Sequence, residues 1–221
     1  EKYYNKSRLG KTYAEILDEK LAIADRLLYR RGNFMGTWYQ ILCNALREEY
    51  DADVAMSAGV RWGTTTLRGD WITMEDVMTQ CSLTYGETYV TEMTGHDLLN
   101  ILEQVADNLF DPDPYLQSGG DMVRVGGMDY TIDPLKPLYE RITDARLDNG
   151  HLIEADKTYK ITGWAQVNNT PEGRLMWDVV RDHIIKNKGK DNVLKIPKIN
   201  HPKLVGVADN PGIADYPGEI S

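Results

Sequence analysis

Apolar positions along the chain follow two spacings, and the changes between them mark out the elements. From Gly36 to Tyr50, Trp38, Ile41, Leu42, Ala45 and Leu46 recur three and four apart, on one face of an amphipathic helix. The alternating run Asp53–Met56 then predicts a short strand. A second helix is expected where Thr73 stands three residues before Asp76, a hydroxyl cap with a carboxylate in the first turn. A third opens at Thr94 with Asp97 in the same relation. Its Leu98, Ile101, Leu102, Val105 and Leu109 form one continuous stripe, and Pro112 and Pro114 forbid its continuation. Residues 11–20 have helical composition, while residues 21–31 either continue that helix or pass into a strand.

The remaining segments carry β-formers. "CSLTYGETYVTEMT", residues 81–94, predicts strands joined by a turn or bulge around Gly86. Residues 115–134 hold two glycine pairs around a short β-like run with Met122, Val123 and Val125. Residues 141–167 predict a strand, an Asn149-Gly150 turn, a second strand and then a third. Thr170 and Pro171 are expected to open a last helix with Leu175, Met176, Val179, Val180 and Ile184 facing its core. The succession lacks the regular strand–helix period of a doubly wound sheet. It predicts an α+β fold, helices packed on a mixed, largely antiparallel sheet. Residues 1–11 are expected to be the remainder of a linker, 12–187 one domain, and 188–221, rich in Pro, Lys and Gly, an extended C-terminal tail. The chain begins at Glu1 rather than Met, so an upstream segment is expected.

Composition narrows the function more than it defines it. Apolar residues make up 42% and charged residues 27%, the balance of an ordinary globular protein. A net charge of −9 argues against nucleic acid as a partner, and no apolar run is long enough to cross a bilayer. His96, His151, His183 and His201 are scattered with no metal-ligand spacing, and no nucleophile elbow, phosphate loop or dinucleotide fingerprint is present. Cys43 and Cys81 are either one disulfide or two buried thiols. The most suggestive stretch is "MSAGVRWGTT", residues 56–65, where Arg61 lies between Gly59 and Gly63. The glycines allow close approach to a ligand, and an arginine fork suits an oxyanion. Arg30 and Arg31 are expected either to face the cleft or, as the commoner case, to be a solvated pair, and Asp121 and Arg124 to pair with each other.

Five segments resemble the C-terminal domain of the 5'-nucleotidase family in order and spacing: residues 33–56, "SAGVR" at 57–61, "GDWITMEDV" at 69–77, "TEMTGHDLLNILEQ" at 91–104 and "MVRVGGMDY" at 122–130. Within that family, "LLYRRGNFMGT", "NLFDPDPY", "GGDMVRVGG", "TGWAQV" and "PKLVGVADNPGIADYP" resemble the SoxB branch, the periplasmic thiosulfohydrolases of bacterial sulfur oxidation. The resemblance implies a two-domain protein. Its N-terminal, metallophosphoesterase-like domain would carry two manganese ions. This chain would be the substrate-recognition domain, with no catalytic or metal-binding residue of its own and no activity alone. It also implies release of sulfate from a cysteine-S-sulfonate on the SoxYZ carrier, with nucleotide hydrolysis as the alternative.

Residue by residue, Arg61 matches the substrate-holding arginine of the family's Asn-Gly-Gly-Gly-x-Arg loop, and Ser57 stands at the place of its asparagine. Tyr85 matches the first of two aromatics that sandwich a nucleobase in the nucleotidases. The place of the second reads "VNNTPEG", residues 167–173, with no aromatic, which weakens the nucleotide alternative. Trp164 is shared with SoxB-like chains and is expected either to line the cleft or to fill the core, and Trp62 to shape the pocket mouth or cap the core.

Overall fold

The computed structural model describes residues 10–30, 32, 34–60, 62–81, 85–166 and 173–207. In chain order these form α1 (Tyr13–Leu17), β1 (Lys20–Ala24), α2 (Thr37–Tyr50), β2 (Val54–Ser57), β3 (Trp71–Thr73), α3 (Met74–Cys81), β4 (Thr88–Thr94) and α4 (Gly95–Phe110). There follow β5 (Arg124–Gly126), β6 (Met128–Ile132), β7 (Ile142–Leu147), β8 (Thr158–Trp164), α5 (Met176–Asn187), β9 (Val193–Leu194) and β10 (Lys203–Leu204). The strands make three small sheets, ordered β4-β8-β2-β5, β3-β1-β9 and β10-β6-β7.

The four-stranded sheet is the divider between two apolar cores. Every residue of β2 is buried, as a strand covered on both faces must be. Its Ala55 packs with α2, α3 and α5 on one side, whereas Val54 and Met56 pack with α4 and β6 on the other. Strand β8 divides in the same way: Tyr159 and Ile161 join the α4 core and Trp164 the α2 core. In α4, Leu98, Leu102 and Ala106 are fully buried, and each such leucine contributes about 1.5–3 kcal/mol. The caps form as expected. The Thr94 hydroxyl accepts from Asp97 N at 3.1 Å, and Thr73 and Asp76 bond reciprocally, at 2.8 Å from Thr73 N and 3.3 Å from Asp76 N.

Several elements differ from the sequence reading. Of the two readings left open for residues 21–31, the strand is the one taken, but only as far as Ala24, because Leu21, Ala22 and Ala24 are needed in the core beside β3. In residues 81–94, Cys81 closes α3, residues 82–84 lie outside the described residues, and β4 pairs with β8 along its whole length. The Asn149-Gly150 turn is present, with Gly150 N donating to Leu147 O at 2.8 Å. The second strand of the expected hairpin, however, shrinks to one bridge, Arg146 with Leu152, and β7 pairs with β6 instead. Helix α5 begins at Met176, with Leu175 as its N-cap; Thr170 and Pro171 lie outside the described residues. In place of one sheet there are three, with four antiparallel pairings and three parallel ones among the described residues.

Residues 188–207 are extended and lie on this domain, and residues 208–221 of the expected tail lie outside the described residues. Strand β9 runs parallel to β1, and β10 parallel to β6. Between them Asn200 is a polar staple. Its side chain accepts from Gly127 N at 3.0 Å and donates to Asp129 at 3.0 Å and Asp148 at 2.8 Å, while its own N–H donates to Gln40 Oε1 at 2.6 Å.

Candidate functional site

The parallel pair β2–β8 ends at one edge of the divider sheet, and the loops that follow both strands emerge there. Ser57 closes β2 opposite Arg124 of β5, and Trp164 closes β8. The Trp164 indole N–H donates to the Ser57 hydroxyl at 2.8 Å. Both residues are buried, Ser57 at 1% exposure and Trp164 at 3%. Of the two expectations for Trp164, the core position is the one it takes. Ser57 and Trp164 therefore fix the strand ends from within.

The loop after Ser57 rests on a frame of buried polar groups. Tyr39, on α2, points its hydroxyl at Val60. That hydroxyl donates to Val60 O at 2.7 Å and accepts from Val60 N at 2.7 Å and from Arg30 Nε at 3.0 Å. The Tyr39 ring lies between two guanidiniums, Arg30 at 4.9 Å and Arg124 at 4.8 Å. Outside Arg30 comes Trp62, its ring centroid 5.8 Å from the guanidinium. From solvent inward the order is Trp62, Arg30, Tyr39, Arg124, alternating ring and cation. The far end of the loop is tied by Gln80 of α3, whose amide donates to Thr64 O at 3.0 Å and whose backbone carbonyl accepts from Arg30. Two glycines let the loop come this close. A side chain at Gly59 would meet Met122 O at 2.7 Å, and one at Gly63, where φ is +130°, would meet Gln80 Oε1 at 2.6 Å.

The frame carries positive charge. Arg124, 1% exposed, is ion-paired with Asp121 at 3.1 Å, as the sequence suggested. Arg30 is 2% exposed, so it is not the solvated arginine expected; Arg31 lies outside the described residues. No carboxylate among the described residues meets Arg30, which is held by Tyr39, Gln80 and the two rings, and its Nη2 is buried without a hydrogen-bond partner. A buried cation that no described carboxylate meets raises the potential of the surface above it and favours an anion there. Cys43 and Cys81 border this region as free, fully buried thiols. Burial pushes both up to about 12, against the opposing pull of Arg30 on Cys81 and of Arg47 and Arg124 on Cys43, so both stay protonated.

The sequence-predicted residues thus separate. Arg61 lies outside the described residues, between Val60 and Trp62, both of which the frame holds. Trp62 is 51% exposed at the rim. Tyr85 is also half-exposed, at 47%, and makes no hydrogen bond or ring contact with Ser57, Trp62 or Trp164. Residues 167–172, the place of the second aromatic, are outside the described residues. Tyr39 and Gln80 escaped the sequence reading, and Arg30 was misplaced by it. One signal was available. Residues 36–46 contain no charge at all, so this half of α2 is covered on the face opposite its apolar stripe as well.

Comparison with known proteins identifies the family and the fold. The family model described as "5'-nucleotidase, C-terminal domain" matches residues 26–173. Over 90% of its length the chain is similar in structure to the sulfate thiohydrolase SoxB of Thermus thermophilus, solved in complex with glycerol. The TM-score is 0.79 and the identity 27%, over 38% of that protein. It is also similar to a 5'-nucleotidase precursor from Thermus thermophilus, with TM-score 0.69 and 14% identity over 88% of this chain and 41% of that one. The NAD nucleotidase of Haemophilus influenzae gives 0.64 and 15%, over 86% and 39%. These last two share the fold. The chain spans about two fifths of each of these proteins. No curated sequence is similar enough to add to this. The matched segment covers the loop, the frame and the buried residues of the α4 core, and the chain belongs to the 5'-nucleotidase C-terminal domain family.

Proposed function

We propose that this chain is the substrate-recognition domain of a SoxB-type sulfate thiohydrolase, and that the 57–65 loop grips the sulfonate end of a cysteine-S-sulfonate carried on a SoxYZ-like protein. The observation that carries the reading is the loop's seat: Val60 and Thr64, on either side of Arg61, are tied down over two buried arginines, one of them met by no carboxylate among the described residues. Similarity to SoxB at 27% identity over 90% of the chain supports the sulfur branch. In the net reaction water adds to the sulfonate sulfur, the S–S bond breaks, sulfate leaves, and the cysteine thiol stays on the carrier. This domain's share is binding. Arg61 would hold sulfonate oxygens, at about 1.5–3 kcal/mol for a charge-assisted contact, while Trp62 and Tyr85 offer half-exposed rings to the carrier's peptide. The two manganese ions of this reading belong to an N-terminal metallophosphoesterase-like domain. The described residues of this chain bring no three His, Cys, Asp or Glu side chains together to hold a metal. The compartment of this reading is the periplasm.

The nucleotidase reading retains one favourable observation, the exposed Tyr85 ring as half of a base clamp. Full-length protein loaded with manganese separates the two. Sulfate release from an S-sulfocysteine peptide, with little phosphate from AMP, is the expected result. Phosphate release without sulfate would replace the sulfur reading with the nucleotide one.

A further inference from the structure

The side chain best placed to control the anion loop is inside the helix that carries the core stripe. We infer that Tyr39 is a positioning residue: its hydroxyl sets the backbone of Val60, the residue that precedes Arg61 in the chain. The inference rests on the reading of Arg61 as the anion grip. Tyr39 is 2% exposed, so it touches no substrate. Its hydroxyl takes both polar groups of one loop residue, donating to Val60 O and accepting from Val60 N, each at 2.7 Å. A merely structural tyrosine in a core needs one partner; closing both the N–H and the C=O of a single peptide residue fixes its orientation as well as its distance.

The rest of the frame keeps the phenol from turning away. Arg30 Nε supplies a third hydrogen bond at 3.0 Å, and the guanidiniums of Arg30 and Arg124 hold the ring at 4.9 and 4.8 Å. Arg124 is anchored in turn by Asp121, the residue against whose Cβ Gly59 packs. Loop and frame thus meet at two backbone positions before Arg61, and Tyr39 makes the polar one of the two. The Val60 side chain packs against the α2 core, but among the described residues Tyr39 alone hydrogen-bonds the Val60 backbone.

Tyr39→Phe keeps the ring between the two arginines and removes all three hydroxyl bonds. In full-length protein, residue-resolved hydrogen exchange should show the Val60 amide slowed at least a hundredfold in the wild type and released at least tenfold by the substitution, with α2 amides unchanged. KM for the turned-over probe, S-sulfocysteine peptide or AMP, should rise about tenfold with kcat within twofold. The double variant Tyr39→Phe with Arg61→Ala should bind no worse than Arg61→Ala alone. A Val60 amide that exchanges freely in the wild type overturns the inference without need of a variant. So does additivity in the double variant. If Arg61→Ala itself leaves KM unchanged, the anion-grip reading has failed, and the exchange data still decide whether Tyr39 orders the loop.

Discussion

Gly59→Ala perturbs the 57–65 loop by one methyl group at a place where neither side has room. The new Cβ would lie 2.7 Å from Met122 O and 2.8 Å from Asp121 Cβ, against ordinary contact from 3.4 Å. Neither neighbour yields easily: Met122 is fully buried, and Asp121 is held by Arg124. The loop must therefore move, by about 0.7 Å, the gap between the closest approach and ordinary contact. Overpacking of this kind costs roughly 1–3 kcal/mol. A displacement near 1 Å at a binding group costs up to about a hundredfold in rate, so a loss of about tenfold in kcat/KM is expected. The assay is steady-state kinetics on full-length protein with S-sulfocysteine peptide, run beside a thermal melt. The loss should fall mainly on KM, with Tm lowered by a few degrees at most. Wild-type kcat/KM together with wild-type Tm would refute the reasoning, because the loop would then not be seated on residues 121–122 in solution.

Two further predictions concern stability. Asn200→Ala leaves the buried Gly127 N–H without its acceptor and removes two bonds to partly exposed carboxylates. It should cost about 2–4 kcal/mol in urea unfolding, and Asn200→Asp more, since a third carboxylate would face Asp129 and Asp148; a cost below 1 kcal/mol would contradict the staple. Glu48 supplies a pH signature. Burial alone would raise its pKa, but Lys186, His183 and Asn187 outweigh burial and lower it from 4.5 to about 2. A depressed carboxyl stabilises the fold above its unfolded pKa and loses that contribution as pH falls through the folded one. The stability gap between wild type and Glu48→Gln should therefore close as pH falls from about 4.5 towards 2, a trend that urea midpoints along the pH series would show or deny.

Much of the fold was legible because its signals are local. The stripes of α2 and α4 and the caps at Thr73 and Thr94 involve residues three or four apart, and they formed where spacing placed them. The strands that went astray depend on partners far along the chain. Strand β9 is two residues long and finds β1 some 170 positions earlier, in a segment whose Pro and Lys content reads as tail. The expected hairpin at Asn149-Gly150 lost its second strand because β6 competes successfully for β7. The site shows the same division. The loop with Arg61 between glycines stands out in sequence, since small residues around a guanidinium are a local pattern. Its support does not. Arg30, Tyr39, Gln80 and Arg124 come from four separate segments, and an arginine written beside Arg31 and Gly32 carries no mark that the fold will bury it.

The central claim is that the 57–65 loop is an anion grip, and Arg61→Ala in manganese-loaded full-length protein tests it most directly. KM for sulfate release from an S-sulfocysteine peptide should rise about ten- to a hundredfold, the loss of one charge-assisted contact, with the melting temperature unchanged. An unaltered KM in a folded Arg61→Ala protein would contradict the account.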